Sequence, residues 1–83
     1  KHSLQVLYET YPLGADTGPE LIVHDGEEAG VVISGEIEVT VENAASVLTP
    51  GDGYIFDSRL PHRFRNIGNV TCIVVSACTP PSF

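Results

Sequence analysis

Between Glu36 and Glu42 the chain reads EIEVTVE, an unbroken alternation of polar and apolar side chains. Ile37, Val39 and Val41 fall on one side, and Glu36, Glu38, Thr40 and Glu42 on the other. A helix would scatter these residues round its circumference. A strand sends them to opposite faces, so the segment is a half-buried strand with a wet outer face. Further strands are expected at Ser3–Tyr11, Pro19–His24, Ala29–Ser34 and Ala45–Thr49, and then at Tyr54–Phe56, His62–Asn66 and Thr71–Ala77. Turn residues separate them: Asp25 and Gly26, Gly35, and the run Pro50 to Gly53. Gly35 is expected to close a tight hairpin, with Gly51 and Asp52 in a similar turn. No segment carries a convincing helical period, and short strands at this spacing predict an all-β sandwich or barrel.

With 83 residues the chain has room for one domain and a modest core. Apolar residues make up 42% and charged residues 18%, a globular composition. No apolar run approaches the roughly 18 residues that cross a bilayer. The formal net charge of −7 repels phosphate, which argues against nucleic-acid binding by this domain alone. Arg59, Arg63 and Arg65 lie close together and leave the rest of the chain strongly negative. Cys72 and Cys78 lack a CxxC spacing or a disulfide-rich context, and are expected as reduced thiols in a cytoplasmic protein.

The chemistry-bearing residues converge on the stretch VHDGEEAG. His24 and Glu28 flank a three-residue turn, and His62 follows Pro61 far downstream. Two imidazoles and a carboxylate are the ligand types of a facial triad on Fe, Ni, Zn or Mn, with positions left open for substrate or water. A small barrel can bring them together because inward positions alternate along each strand. The competing reading is structural: a histidine after proline is commonly a hydrogen-bonded turn or core residue, and a Glu-Glu pair a solvated edge. Tyr54, Phe56 and Phe64 divide the same way, between core packing and the wall of a ligand pocket. Arg59 is expected as a solvated loop residue, Cys72 as a small core residue and His2 as inert.

His24, Glu28 and Gly35 are similar in spacing to the second half of the first cupin motif. The motif's earlier histidine falls on Ile22, and its leading glycine on Asp16. Gly51, His62 and Asn66 match the second cupin motif, whose proline and second glycine are replaced by Asp57 and Arg59. The resemblance runs from Asp16 to Asn66 and implies a small double-stranded β-helix, or jelly-roll barrel. It also implies a candidate metal set of His24, Glu28 and His62, with one divalent transition metal as the possible cofactor. The candidate ligand pocket is Ile22, His24, Glu28, Tyr54, Phe56, His62 and Phe64.

The segments HDGEEAGVVISGEIEVTV and LPHRFRN, and the ending SACTPPSF, resemble the C-terminal cupin of bacterial helix-turn-helix regulators of the XRE type. Within that family they resemble the type of the putrescine-utilisation repressors. The resemblance implies an effector-sensing domain, residues 1–83, that follows a separate N-terminal DNA-binding domain; the opening Lys1 fits that expectation. It further implies a homodimer and a small-molecule effector, amines or polyamines first, amino acids or small carboxylates second. The competing class is a stand-alone metal-dependent cupin enzyme of dioxygenase, isomerase or epoxidase type. No second acid/base pair accompanies the candidate ligands, so no catalytic residue is assigned.

Overall fold

The computed structural model describes residues 2–17 and 25–81. Among these lie seven strands: β1 (Gln5–Tyr11), β2 (Glu27–Ser34), β3 (Ile37–Val41), β4 (Ala44–Leu48), β5 (Gly53–Asp57), β6 (His62–Arg65) and β7 (Cys72–Thr79). They form an antiparallel four-stranded sheet in the order β1-β7-β2-β5 and a three-stranded sheet in the order β4-β3-β6. The architecture is the expected all-β jelly roll. The strand expected at Pro19–His24, with Ile22 and His24, lies outside the described residues.

Strand β2 starts two residues before the expected Ala29. Glu27 and Glu28 pair with Asp57 and Phe56 of β5 on one side and with Thr79 and Cys78 of β7 on the other. Glu28 is therefore held in a ladder between two neighbours, which fixes its direction as a turn would not.

Gly35 does not close a hairpin, contrary to the sequence expectation. Strands β2 and β3 belong to different sheets, and Gly35 turns the corner between them with φ 74°. A Cβ there would lie 2.5 Å from the Thr71 carbonyl oxygen, so the left-handed corner is reserved for glycine. The turn at Gly51 and Asp52 likewise carries β4 across to β5 in the other sheet. Asp52 accepts hydrogen bonds from the Thr49 amide at 2.9 Å and hydroxyl at 3.0 Å. The tight hairpin is at Glu42 and Asn43 between β3 and β4, with Glu42 at φ 54°. Short glycine breaks look alike in sequence; whether one reverses a strand within a sheet or sends it to the facing sheet depends on where the other strands are.

Ile37 and Val39 join Val32, Phe56, Phe64, Cys72 and Val74 in the core between the sheets. Cys72 is buried as expected, and burial pushes its thiol up. Both cysteines are free. Asn66 is a brace: its amide donates to the Tyr11 and Val70 carbonyls, both at 2.9 Å, and its carbonyl accepts from the Gly68 amide. Asp16 pairs with Arg63, with Nε 2.9 Å from Oδ1, and ties the chain after β1 to β6.

Candidate functional site

The inner face of the four-stranded sheet is built in rows by the strand register. Gln5, Cys78, Glu28 and Phe56 form one row, and Leu7, Ser76, Gly30 and Tyr54 the next. Glu9, Val74 and Val32 begin a third. Opposite them, β6 turns His62 and Phe64 inward, both buried. The sheet interior thus changes from polar at the β1–β7–β2 end to aromatic beside β5 and β6.

His62 is fully buried and its ring lies 4.8 Å from that of Phe56. Its Nδ1 is 2.8 Å from the Leu60 carbonyl oxygen. A carbonyl only accepts, so Nδ1 carries the proton, and in the neutral ring the lone pair sits on Nε2. That atom is 3.9 Å from Glu28 Oε1. Glu28 is held from its other side by Tyr54, whose hydroxyl lies 3.4 Å from Oε2. Gly30 makes this reach possible, because a Cβ at position 30 would stand 2.5 Å from the Tyr54 hydroxyl oxygen. Glu28, Tyr54, Phe56, His62 and Phe64, five of the seven expected pocket residues, are therefore neighbours. Phe56 and Phe64 belong to the core, and Tyr54 stands edge-on to Phe64 at 5.3 Å.

A second carboxylate, missed in the sequence, lies in the same interior. Glu9 accepts a hydrogen bond from the Tyr11 hydroxyl at 2.8 Å and another from the Ser76 hydroxyl. In QVLYETY both phases of the alternation contain apolar residues, so periodicity did not say which phase faces in. The signal that was present is the polar pair Gln5 and Glu9 in phase with Tyr11.

Burial and then the negative charge of Glu9 push the Tyr11 hydroxyl far above its ordinary range; for Tyr54 the causes are burial and then Glu28. Each tyrosine also feels the other strand's carboxylate, so the four groups form one electrostatic unit. Both hydroxyls stay protonated and act as donors. As pH rises past about 10 the unfolded chain gives up these protons before the folded barrel does, so stability holds below that pH and falls above it. Urea midpoints are expected to decline above about pH 10, and less so in a Tyr11→Phe, Tyr54→Phe double variant. An identical alkaline decline in that variant would show that other groups set it.

Arg59 is exposed, as expected, and it grips Asp57, with Nε 3.0 Å from Oδ1 and Nη2 2.6 Å from Oδ2. The Arg59 guanidinium and amide hold the Asp57 carboxyl down at about 2. The two residues that depart from the second motif thus close its turn by pairing with each other.

The cupin-domain model matches residues 7–78. The chain belongs to the cupin family. It is 40% identical over 81 residues to the HTH-type transcriptional regulator PuuR of Escherichia coli (strain K12), covering 98% of this chain and 43% of that protein. The cupin thus spans less than half the length of that relative. The cupin domain of an XRE family transcriptional regulator from Enterobacter cloacae superposes with a TM-score of 0.84 at 27% identity. That match covers 96% of this chain and 84% of the other. An oxalate oxidase superposes with a TM-score of 0.80 at 19% identity, over 94% of this chain and 42% of that one, which is a likeness of fold. This cupin therefore resembles the corresponding domain of XRE and PuuR-type regulators, in line with a non-catalytic role. Among the described residues no helix is long and apolar enough to cross a membrane.

Proposed function

We propose that this cupin is the effector-sensing domain of a DNA-binding transcriptional regulator and that its interior takes a small cation, an amine or polyamine first. DNA is contacted through a separate N-terminal helix-turn-helix domain, and the regulator acts as a homodimer in the cytoplasm. The observation that carries the ligand class is the pair Glu28 and Glu9, each held by a tyrosyl hydroxyl inside one barrel. A buried carboxylate is stabilised by a cationic partner, and an ammonium group supplies charge and donors together. Ile22 and His24 complete the proposed pocket. Sensing requires that the effector bind one dimer arrangement more tightly than the other, with a coupling of about 1–3 kcal/mol. Calorimetric titration with putrescine, spermidine, common amino acids and small carboxylates tests the reading, with saturable binding of an amine expected. Heats of dilution alone for every amine would overturn it.

The direction of His62 Nε2 favours a second reading, a divalent metal held by His24, Glu28 and His62. An ion with bonds of about 2.1 Å spaces neighbouring ligands about 3.0 Å apart in an octahedral facial triad and about 3.4 Å apart in a tetrahedral site. An ammonium that donates to both groups at about 2.8 Å spaces them about 4.6 Å apart. The 3.9 Å between Nε2 and Oε1 lies between the two, and the Leu60 carbonyl orients the imidazole as an outer-sphere acceptor does in metal sites. Bound metal would supply a Lewis-acidic centre with open positions. On this reading, elemental analysis after incubation with Fe, Ni, Zn and Mn gives one ion per chain, and none for His62→Ala, with folding checked by circular dichroism. No ion retained by the unaltered protein would remove the metal and leave the amine.

A further inference from the structure

Among the described residues the buried polar side chains are Ser58, His62, Asn66 and Ser76. Asn66 braces Tyr11, Val70 and Gly68, Ser76 donates to Glu9, and His62 donates to the Leu60 carbonyl. Ser58 is the exception. It is 0% exposed, and its Oγ has no hydrogen-bond partner among the described residues. A hydroxyl taken out of water without a partner destabilises a fold, so this position needs a reason beyond packing.

The strand ladder says where the hydroxyl points. Phe56 faces the core, and Asp57 turns out to the exposed Arg59. The Ser58 amide donates to the Gly26 carbonyl at 2.8 Å, which carries the β2–β5 register one residue past Asp57. Ser58 therefore looks to the same side as Phe56. Glu28 stands opposite Phe56, so Ser58 is its diagonal neighbour, with Cα atoms about 7–8 Å apart. The turn from Asp57, closed by the Leu60 amide on the Asp57 carbonyl at 2.9 Å, leads on to His62, whose ring lies 4.8 Å from that of Phe56. Ser58, Glu28 and His62 thus share the end of the barrel where β5 finishes and β2 and β6 begin.

We propose that Ser58 is a specificity-determining residue of the amine site: its hydroxyl oxygen accepts one N–H of the ammonium group whose charge Glu28 balances. The inference rests on the effector reading above and adds a second acceptor to it. A carboxylate attracts a cation whatever its hydrogen count. A neutral oxygen set to one side serves only a cation with a second N–H to aim at it. Together the two acceptors select primary and secondary amines over tertiary ones. The buried hydroxyl gains its bond only from such a ligand.

Calorimetry with putrescine, N,N′-dimethylputrescine and N,N,N′,N′-tetramethylputrescine tests the assignment on the unaltered protein, Ser58→Ala and Ser58→Cys, with thermal melts alongside. The two ends of each probe are alike, so it does not matter which end enters. For the unaltered protein the first two probes should bind within a few-fold of each other, and the third about 10-fold more weakly. Either substitution should weaken putrescine about 10-fold and bring the tetramethyl probe to within a few-fold of the others. Cysteine keeps the size of the side chain and is a poor acceptor, so it separates loss of the hydroxyl from the opening of a void. Its melting temperature should not fall, because Ser58 Oγ makes no bond to the described residues for the variant to lose.

Unchanged putrescine affinity in both variants would overturn the proposal, as would equal binding of all three probes by the unaltered protein. So would a gap between putrescine and the tetramethyl probe that persists in both variants. A lowered melting temperature in Ser58→Cys would make Ser58 a structural residue and equally overturn it. Failure of every amine to bind the unaltered protein would overturn the effector reading and this inference together, so the two failures are told apart.

Discussion

Gly26→Ala is expected to leave the domain largely unfolded in water. Gly26 sits at φ 108°, and a Cβ there would stand 1.5 Å from the Thr79 carbonyl oxygen and 2.7 Å from Pro80 Cδ. Its own carbonyl accepts the Ser58 amide at 2.8 Å, so the segment cannot move away without breaking that bond. The obstacle is the Thr79–Pro80 linkage itself, with the Thr79 carbonyl carbon at 2.5 Å, so no side-chain rotation relieves the clash. The cost should exceed about 4 kcal/mol, in the range reserved for backbone incompatibility. A chain of 83 residues has a total stability of about 4–12 kcal/mol. Gly14→Ala is the control: its φ is also positive, at 77°, but nothing lies within 4 Å of the added methyl, and the cost should be about 1–2 kcal/mol. Urea unfolding followed by circular dichroism checks both. A Gly26→Ala midpoint equal to that of the unaltered protein would mean that the β7 end and the turn before β2 are not packed as described.

Glu28→Gln should preserve the barrel and weaken amine binding by about 10–100-fold. The substitution keeps the side chain's shape, and the amide oxygen can still accept from the Tyr54 hydroxyl. What it removes is the negative charge 3.9 Å from His62 Nε2. Hydrogen bonds to charged groups contribute about 1.5–3 kcal/mol, which is the origin of the fold-change. Glu9→Gln should weaken binding too, and more for diamines than for monoamines, because Glu9 and Glu28 stand on different strands of one interior. Calorimetry on both variants, with thermal melts as a folding check, provides the measurement. Unchanged affinity in Glu28→Gln would take Glu28 out of the site.

The sequence by itself determined the class of fold and part of the site. Strict alternation at Ile37, Val39 and Val41 could only be a strand with one buried face, and that face is in the core. His62, Phe64 and Asn66 alternate in the same way, and all three are buried. The spacing of the two motifs anticipated that Glu28 and His62 would meet, and they do.

Tertiary structure decided the rest, because a period of two names two faces without saying which looks inward. In VVI of β2, Val32 is buried while Val31 and Ile33 are exposed, and in β1 Gln5 and Glu9 turn in while Val6 and Tyr8 turn out. Register against β7 chose these phases: Glu9 stands opposite Val74, and Val32 stands opposite the same residue from the other side. A carboxylate on β1 thus entered the interior that Glu28 enters from β2, two rows along and across a third strand, a placement that no local pattern encodes. The corner at Gly35 follows the same logic, since its left-handed φ and the Thr71 carbonyl and Cys72 Cα behind it reserve for glycine the point where the chain leaves one sheet for the other.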